Sequence, residues 1–162
     1  MTIFTIGYEG LSVDEFLVLL QKHDIETLVD IRELPLSRKP GFSKKALASA
    51  VNSQGVDYLH MVQLGCPRNV RDQYRADGSW KRYTDGFMKY LKTQDEAIAE
   101  LSELVNSSNC ALLCYEADHN FCHRSMVANA IHALAGTQIN HIKKPAAVFK
   151  TKTTAQVREL FA

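Results

Sequence analysis

The chain has 162 residues, 46% hydrophobic and 23% charged, with 19 Lys and Arg against 18 Asp and Glu for a formal net charge of +1. Such a length suits one domain with a core of its own, and the near-neutral balance excludes a globally basic nucleic-acid binder. Four cysteines without a Cys-x-x-Cys pair, and no apolar run of membrane-spanning length, point to free thiols in a reducing, cytoplasmic setting with no membrane partner.

Charge is unevenly spread. No Lys or Arg occurs from Thr93 to His123, whereas basic residues collect around Arg32–Lys45, Arg68–Arg82 and Lys143–Lys152. A basic patch is therefore compatible with a neutral total.

Taken in order, Thr2-Ile-Phe-Thr-Ile6 reads as a strand, and Gly7-Tyr-Glu-Gly10 as a two-glycine turn. Ser12 with Glu15 three residues on is a capping box, and Phe16, Leu17, Leu19 and Leu20 form the apolar face of a first helix. Ile25–Arg32 is a second strand, with Asp30 and Arg32 on one face at its carboxyl end. Residues 33–42 form a loop held extended by Pro35 and Pro40. A helix from Ser43 to about Ser53 follows, then a strand over Val56–Met61.

The periodicity fails over about 63–84. That segment reads as a partly irregular excursion with Arg68, Arg71, Arg75, Lys81 and Arg82 interleaved with Tyr74, Trp80 and Tyr83. Asp85–Val105 reads as one long helix. Then comes the stretch that concentrates the chemistry. Cys110–Glu116 is a buried-type strand, Ala117–Ser125 a polar turn, and Met126–Gly136 an apolar helical stripe. A short strand over Gln138–Ile142, a loop over Pro145–Phe149 and a closing helix over Thr154–Phe161 complete the chain.

Strands alternate with helices throughout, which predicts a single three-layer α/β domain over 1–162. Its sheet is mostly parallel, of about five strands, with helices on both faces. Ligands bind at the carboxyl ends of the strands in such sheets. That rule gathers Gly7 to Gly10, Asp30 to Arg38 and Glu116 to Ser125 onto one edge.

Three motifs share that edge: Thr5-Ile-Gly-Tyr8; Asp30-Ile-Arg32 with Pro35, Ser37-Arg38, Pro40 and Phe42; and Leu113-Cys-Tyr-Glu116 with Cys122-His-Arg124. Together and in this order they resemble the domain-of-unknown-function 488 family. The resemblance implies a compact α/β domain whose three motifs belong to one site, and it supplies no substrate. The turn Ala117-Asp-His-Asn-Phe121 departs from the proline- or acid-rich turn expected there, so the resemblance gives His119 no catalytic role.

Two functional classes fit these residues. In the first the chain is an enzyme acting on an anionic, phosphate-bearing substrate. Cys122, flanked by His123 and Arg124 near a helix start, has the surroundings of an activated thiol; Glu116 at a strand end suits a general acid or base. Arg32, Arg38, Arg124, Ser125, Tyr8 and Asp30 then form the ligand-binding set. In the second the chain is a nucleotide or nucleic-acid binding module, with the basic and aromatic excursion gripping phosphates and stacking bases. Each residue also has a plainer reading: Cys122 packed under the helix, Glu116 or Asp30 paired with an arginine, the excursion a solvated lid. His119, Cys122 and His123, with Asp118 or Cys114, have no strong metal-ligand spacing, so no metal site is expected, and no cofactor is specified. Cys110 and Cys114, four apart on a strand, are expected to pack in the core.

Overall fold

The computed structural model describes residues 1–145. The expected closing helix, and all but Pro145 of the loop before it, lie outside the described residues. Five strands form one sheet: β1 (Thr2–Gly7), β2 (Thr27–Asp30), β3 (Asp57–His60), β4 (Cys110–Cys114) and β5 (Gln138–Ile142). Their order is β3-β2-β4-β1-β5 and every pairing is parallel. Six helices connect them: α1 (Val13–Lys22), α2 (Lys44–Asn52), α3 (Arg68–Asp77), α4 (Trp80–Leu91), α5 (Asp95–Ser107) and α6 (His123–Ala135).

The two-residue period of each strand divides the core in two. Phe4, Ile6, Leu28, Ala111 and Leu113 face α1 and α2. Ile3, Val29, Cys110 and Leu112 face the opposite layer, built from α3 to α6. The expected three-layer α/β domain is thus what the chain forms. Strand β4 is buried along its whole length, as its continuous apolar run requires.

The path of the chain explains where a site arises. From β1 to β2 to β3 the connections step toward one edge, and from β3 to β4 to β5 they step back. Right-handed crossovers therefore send α1 and α2 to one face and α3 to α6 to the other. The connection from β4 leaves on the face opposite to those from both of its neighbours, β1 and β2. A crevice opens at the carboxyl end of β4 for that reason.

The excursion at 63–84 is more regular than its sequence suggests. Helix α3 ends at Gly78, whose left-handed backbone (φ 64°) a glycine adopts without strain. Ser79 then caps α4 by accepting from the Arg82 amide. The long helix expected over 85–105 is two helices. The break falls at Lys92–Gln94, where the Thr93 hydroxyl donates to the Tyr90 carbonyl at 2.6 Å. Short polar side chains bonding locally to the backbone compete with helix continuation, and an apolar period does not register that competition.

Candidate functional site

The crevice is a cleft of about 400 Å³ between the strand ends and helices α3 and α4. Its floor carries Cys114, Glu116 and His123; one wall carries Tyr8, Arg32, Glu33 and Arg38. The other wall carries Arg71, Tyr74, Arg75, Trp80 and Tyr83, with Tyr115 and Phe121 at the rim. The excursion therefore lies over the strand ends, and its aromatic residues are organised. Trp80 stacks on Tyr83 with ring centroids 4.6 Å apart, and Tyr74 and Phe121 meet Trp80 edge-on.

Asp30 and Arg32 form a buried bidentate pair, Nε to Oδ1 at 2.9 Å and Nη2 to Oδ2 at 2.7 Å. The Tyr58 hydroxyl donates to the same carboxylate. Arg32 Nη1 also donates to the Phe42 carbonyl at 2.7 Å and to the Tyr8 hydroxyl at 3.3 Å. Burial alone would lower the Arg32 pKa, but the Asp30 carboxylate holds it above the ordinary value. Most of the Arg32 donors are committed inside the protein, so this arginine shapes the cleft wall more than it grips a ligand. Tyr8 is likewise buried, stacked on Phe42 at 4.5 Å. Arg38 is exposed and makes no ion pair among the described residues.

Arg124 is wholly buried. Its Nε donates to Thr5 Oγ1 at 3.1 Å, Nη1 to Cys114 Sγ at 3.0 Å and to the Glu116 carbonyl, and Nη2 to the Ala117 carbonyl at 3.1 Å. Burial pulls its pKa down to about 10, which leaves it cationic at neutral pH. It holds the β4–α6 turn and does not line the cleft. Ser125 does not face the cleft either; its hydroxyl donates to the Cys122 carbonyl at 2.9 Å inside the first helical turn.

The expectation for the cysteines needs correcting. Cys122 is the N-cap of α6, and it is joined to Cys114 by a disulfide, so neither of the two is the free thiol expected. Both are buried, yet Cys114 is the one on the cleft floor. Cys114 therefore lines the cleft and is not simple core packing, and Cys122, bonded to it, has no thiolate of its own in this structure. The visible signal was its position, two residues before Glu116 at the end of the central strand. Cys66 and Cys110 are free and buried, and burial pushes each thiol up to about 11, which makes them poor nucleophiles.

Glu116 is half-buried, and burial holds its carboxyl above the usual range. His123 Nε2 lies 2.8 Å from the Ile31 carbonyl. A carbonyl only accepts, so that nitrogen carries the hydrogen and Nδ1 keeps its lone pair. His119 sits away from the cleft, stacked on His141 with centroids 3.7 Å apart. Thr5 Oγ1 accepts from Arg124 and is hydrogen-bonded to His141 Nδ1 at 2.7 Å. Burial lowers the pKa of both histidines, that of His141 to about 4.

Gly7 makes this packing possible. A Cβ there would overlap the Glu116 carbonyl and come within 3.0 Å of the Arg124 guanidinium. Gly7→Ala is expected to cost about 1–3 kcal/mol by overpacking. It should also shift the backbone around Glu116. Urea unfolding checks the cost, and the amide spectrum of residues 114–118 checks the shift.

The family model described as domain of unknown function DUF488 matches residues 12–131. The chain belongs to the DUF488 family. That match runs from the capping box of α1 into α6, so it spans the cleft floor and, apart from Tyr8, the cleft walls of this DUF488 protein. No curated protein and no solved structure matches the chain. Among the described residues no helix is long and apolar enough to cross a membrane.

Proposed function

We propose that this DUF488 protein is an enzyme acting on a small anionic substrate that carries a planar or apolar part, a phosphorylated aromatic compound being the simplest fit. One observation carries the reading. A single cleft combines cationic donors, an aromatic wall and a floor of carboxyl and imidazole at the switch point of a parallel sheet. Its volume of about 400 Å³ falls within the range of about 300–1,000 Å³ for small-molecule sites. Arg38 is the exposed cleft arginine with no ion pair among the described residues, and Arg75, also exposed on the cleft, shares Asp72 with Arg68. Trp80 and Tyr83 offer a face for stacking, and Tyr115 and Phe121 an apolar rim.

A long polyanion is a poorer match. Along α3 and α4 the exposed basic residues other than Lys89 stand beside acids: Arg68 and Arg75 by Asp72, Lys81 by Asp85, Arg82 by Asp77. Such exposed pairs stabilise little. They do cancel the positive stripe that phosphate tracking needs.

Trp80 is the only tryptophan, so its emission reports cleft binding. Titration with nucleoside monophosphates and aryl phosphates is expected to change that emission, while the matching nucleosides and phenols bind far more weakly. Arg38→Ala and Arg75→Ala should each weaken the charged ligands roughly 10- to 100-fold, the equivalent of one charge-assisted hydrogen bond. Equal affinity for charged and neutral partners, or two variants that bind like the parent, would overturn the reading.

A further inference from the structure

We infer that the Cys114–Cys122 disulfide is a redox centre that exchanges with a small thiol entering through the cleft. The bond joins the end of β4 to the N-cap of α6. Cys114 lines the cleft and Cys122 does not, so a thiol in the cleft meets Cys114 first. The assignment does not depend on which anionic substrate the cleft takes.

Two features set this bond apart from a structural crosslink. It closes a separation of eight residues, in a turn that Arg124 already holds through the carbonyls of Glu116 and Ala117. A short loop leaves a crosslink the least to stabilise. Next, both sulfurs have neighbours that favour them once reduced. Nη1 of the wholly buried Arg124 lies 3.0 Å from Cys114 Sγ and stabilises a thiolate there. Glu116 Oε2 faces the same sulfur at 3.4 Å and opposes that charge when ionised, but it is farther away and only half-buried. Cys122 stands at a helix N-terminus, which stabilises its sulfur as a leaving thiolate. His123 Nδ1, 3.8 Å from that sulfur, accepts its hydrogen once it is a thiol.

The exchange runs in two displacements. The thiolate of a first small thiol bonds to Cys114 Sγ, the Cys114–Cys122 bond breaks, and its electron pair leaves on Cys122. A second thiolate attacks the small-molecule sulfur of that mixed disulfide, and Cys114 leaves as a thiolate beside Arg124. Two small thiols are thereby oxidised to one disulfide, and the protein disulfide is reduced by the same two electrons. Of the two protons given up, Cys122 takes one and solvent takes the other, because Arg124 keeps Cys114 ionised. A small disulfide drives the same steps backward.

The test equilibrates the full chain with graded ratios of reduced to oxidised glutathione, quenches with acid, and scores each cysteine by differential alkylation and peptide mass spectrometry. Cys114 and Cys122 should pass together and reversibly between disulfide and dithiol across the series, while Cys66 and Cys110 stay thiols. Circular dichroism should show the same helix content at both ends of the series. Cys122→Ser lacks the second sulfur and is expected to accumulate glutathione on Cys114. Cys114→Ser should take up glutathione at Cys122 roughly 10-fold more slowly or worse, for want of access. Because the parent protein supplies the redox titration and the helix content, a variant that fails to fold leaves the test intact. A bond that survives the whole series in the folded protein, two sulfurs that stay thiols throughout, or a reduction that unfolds the chain would overturn the assignment. So would glutathione uptake at Cys122 as fast as at Cys114.

Discussion

Arg124→Met is expected to lower stability by about 3 kcal/mol, through loss of several charge-assisted hydrogen bonds at once. Methionine fills much of the same volume, so the effect isolates the donors from the packing. The Thr5 hydroxyl loses a partner in the core, and the carbonyls of Glu116 and Ala117 lose the group that turns the chain at the end of β4. Removing a desolvated charge offsets part of the cost, which keeps the expected value near three. Arg124→Lys separates charge from shape. Its single ammonium cannot reach Thr5, Cys114 and both carbonyls together, so it should recover less than half of the loss. Urea midpoints of the three proteins read the result. A methionine variant within 1 kcal/mol of the parent would mean that the turn is held by its backbone alone.

Asp30→Asn is expected to cost about 3–5 kcal/mol, because it leaves the Arg32 guanidinium buried beside a neutral amide. The change is nearly isosteric, so cavity formation contributes little. Asp30 is fully buried and its carboxylate takes both Arg32 bonds together with the Tyr58 hydroxyl. The double variant Asp30→Asn with Arg32→Met removes the stranded charge. It should be more stable than Asp30→Asn alone, and that sign is the diagnostic outcome of the mutant cycle. Additive losses would show that the two side chains act independently. Because Arg32 also donates to the Phe42 carbonyl, both single variants should loosen the cleft wall that carries Arg38.

These two buried arginines show why an arginine in a motif is ambiguous on paper. Arg32, Arg38 and Arg124 share one strand-end edge, and the arithmetic of the chain treats them alike. Arg38 has an exposed head on the cleft, whereas the other two spend their donors on the protein. The difference is burial, which depends on what packs above each residue. The cysteines make the same point. A separation of eight residues has no meaning until β4 ends beside the start of α6 and puts two sulfurs in contact.

The α/β class was legible because strand and helix periods are local properties. Thr2–Ile6, the Ser12–Glu15 capping box and the apolar run Cys110–Leu113 each declare their element without help from the rest of the chain. The strand-end rule then placed Tyr8, Asp30, Arg38 and Glu116 on one edge from chain order alone. Helices α3 and α4 were not legible as such, since a Gly78–Ser79 break and a dense run of charges blur the period. Sequence by itself determined the kinds of element, their alternation and the edge on which chemistry gathers. Tertiary structure alone decided that the basic-aromatic helices roof that edge, that Cys114 faces the cleft, and that Arg32 and Arg124 direct their donors to protein groups. Those outcomes follow from burial and from contacts between segments far apart in the chain, and no local pattern encodes them.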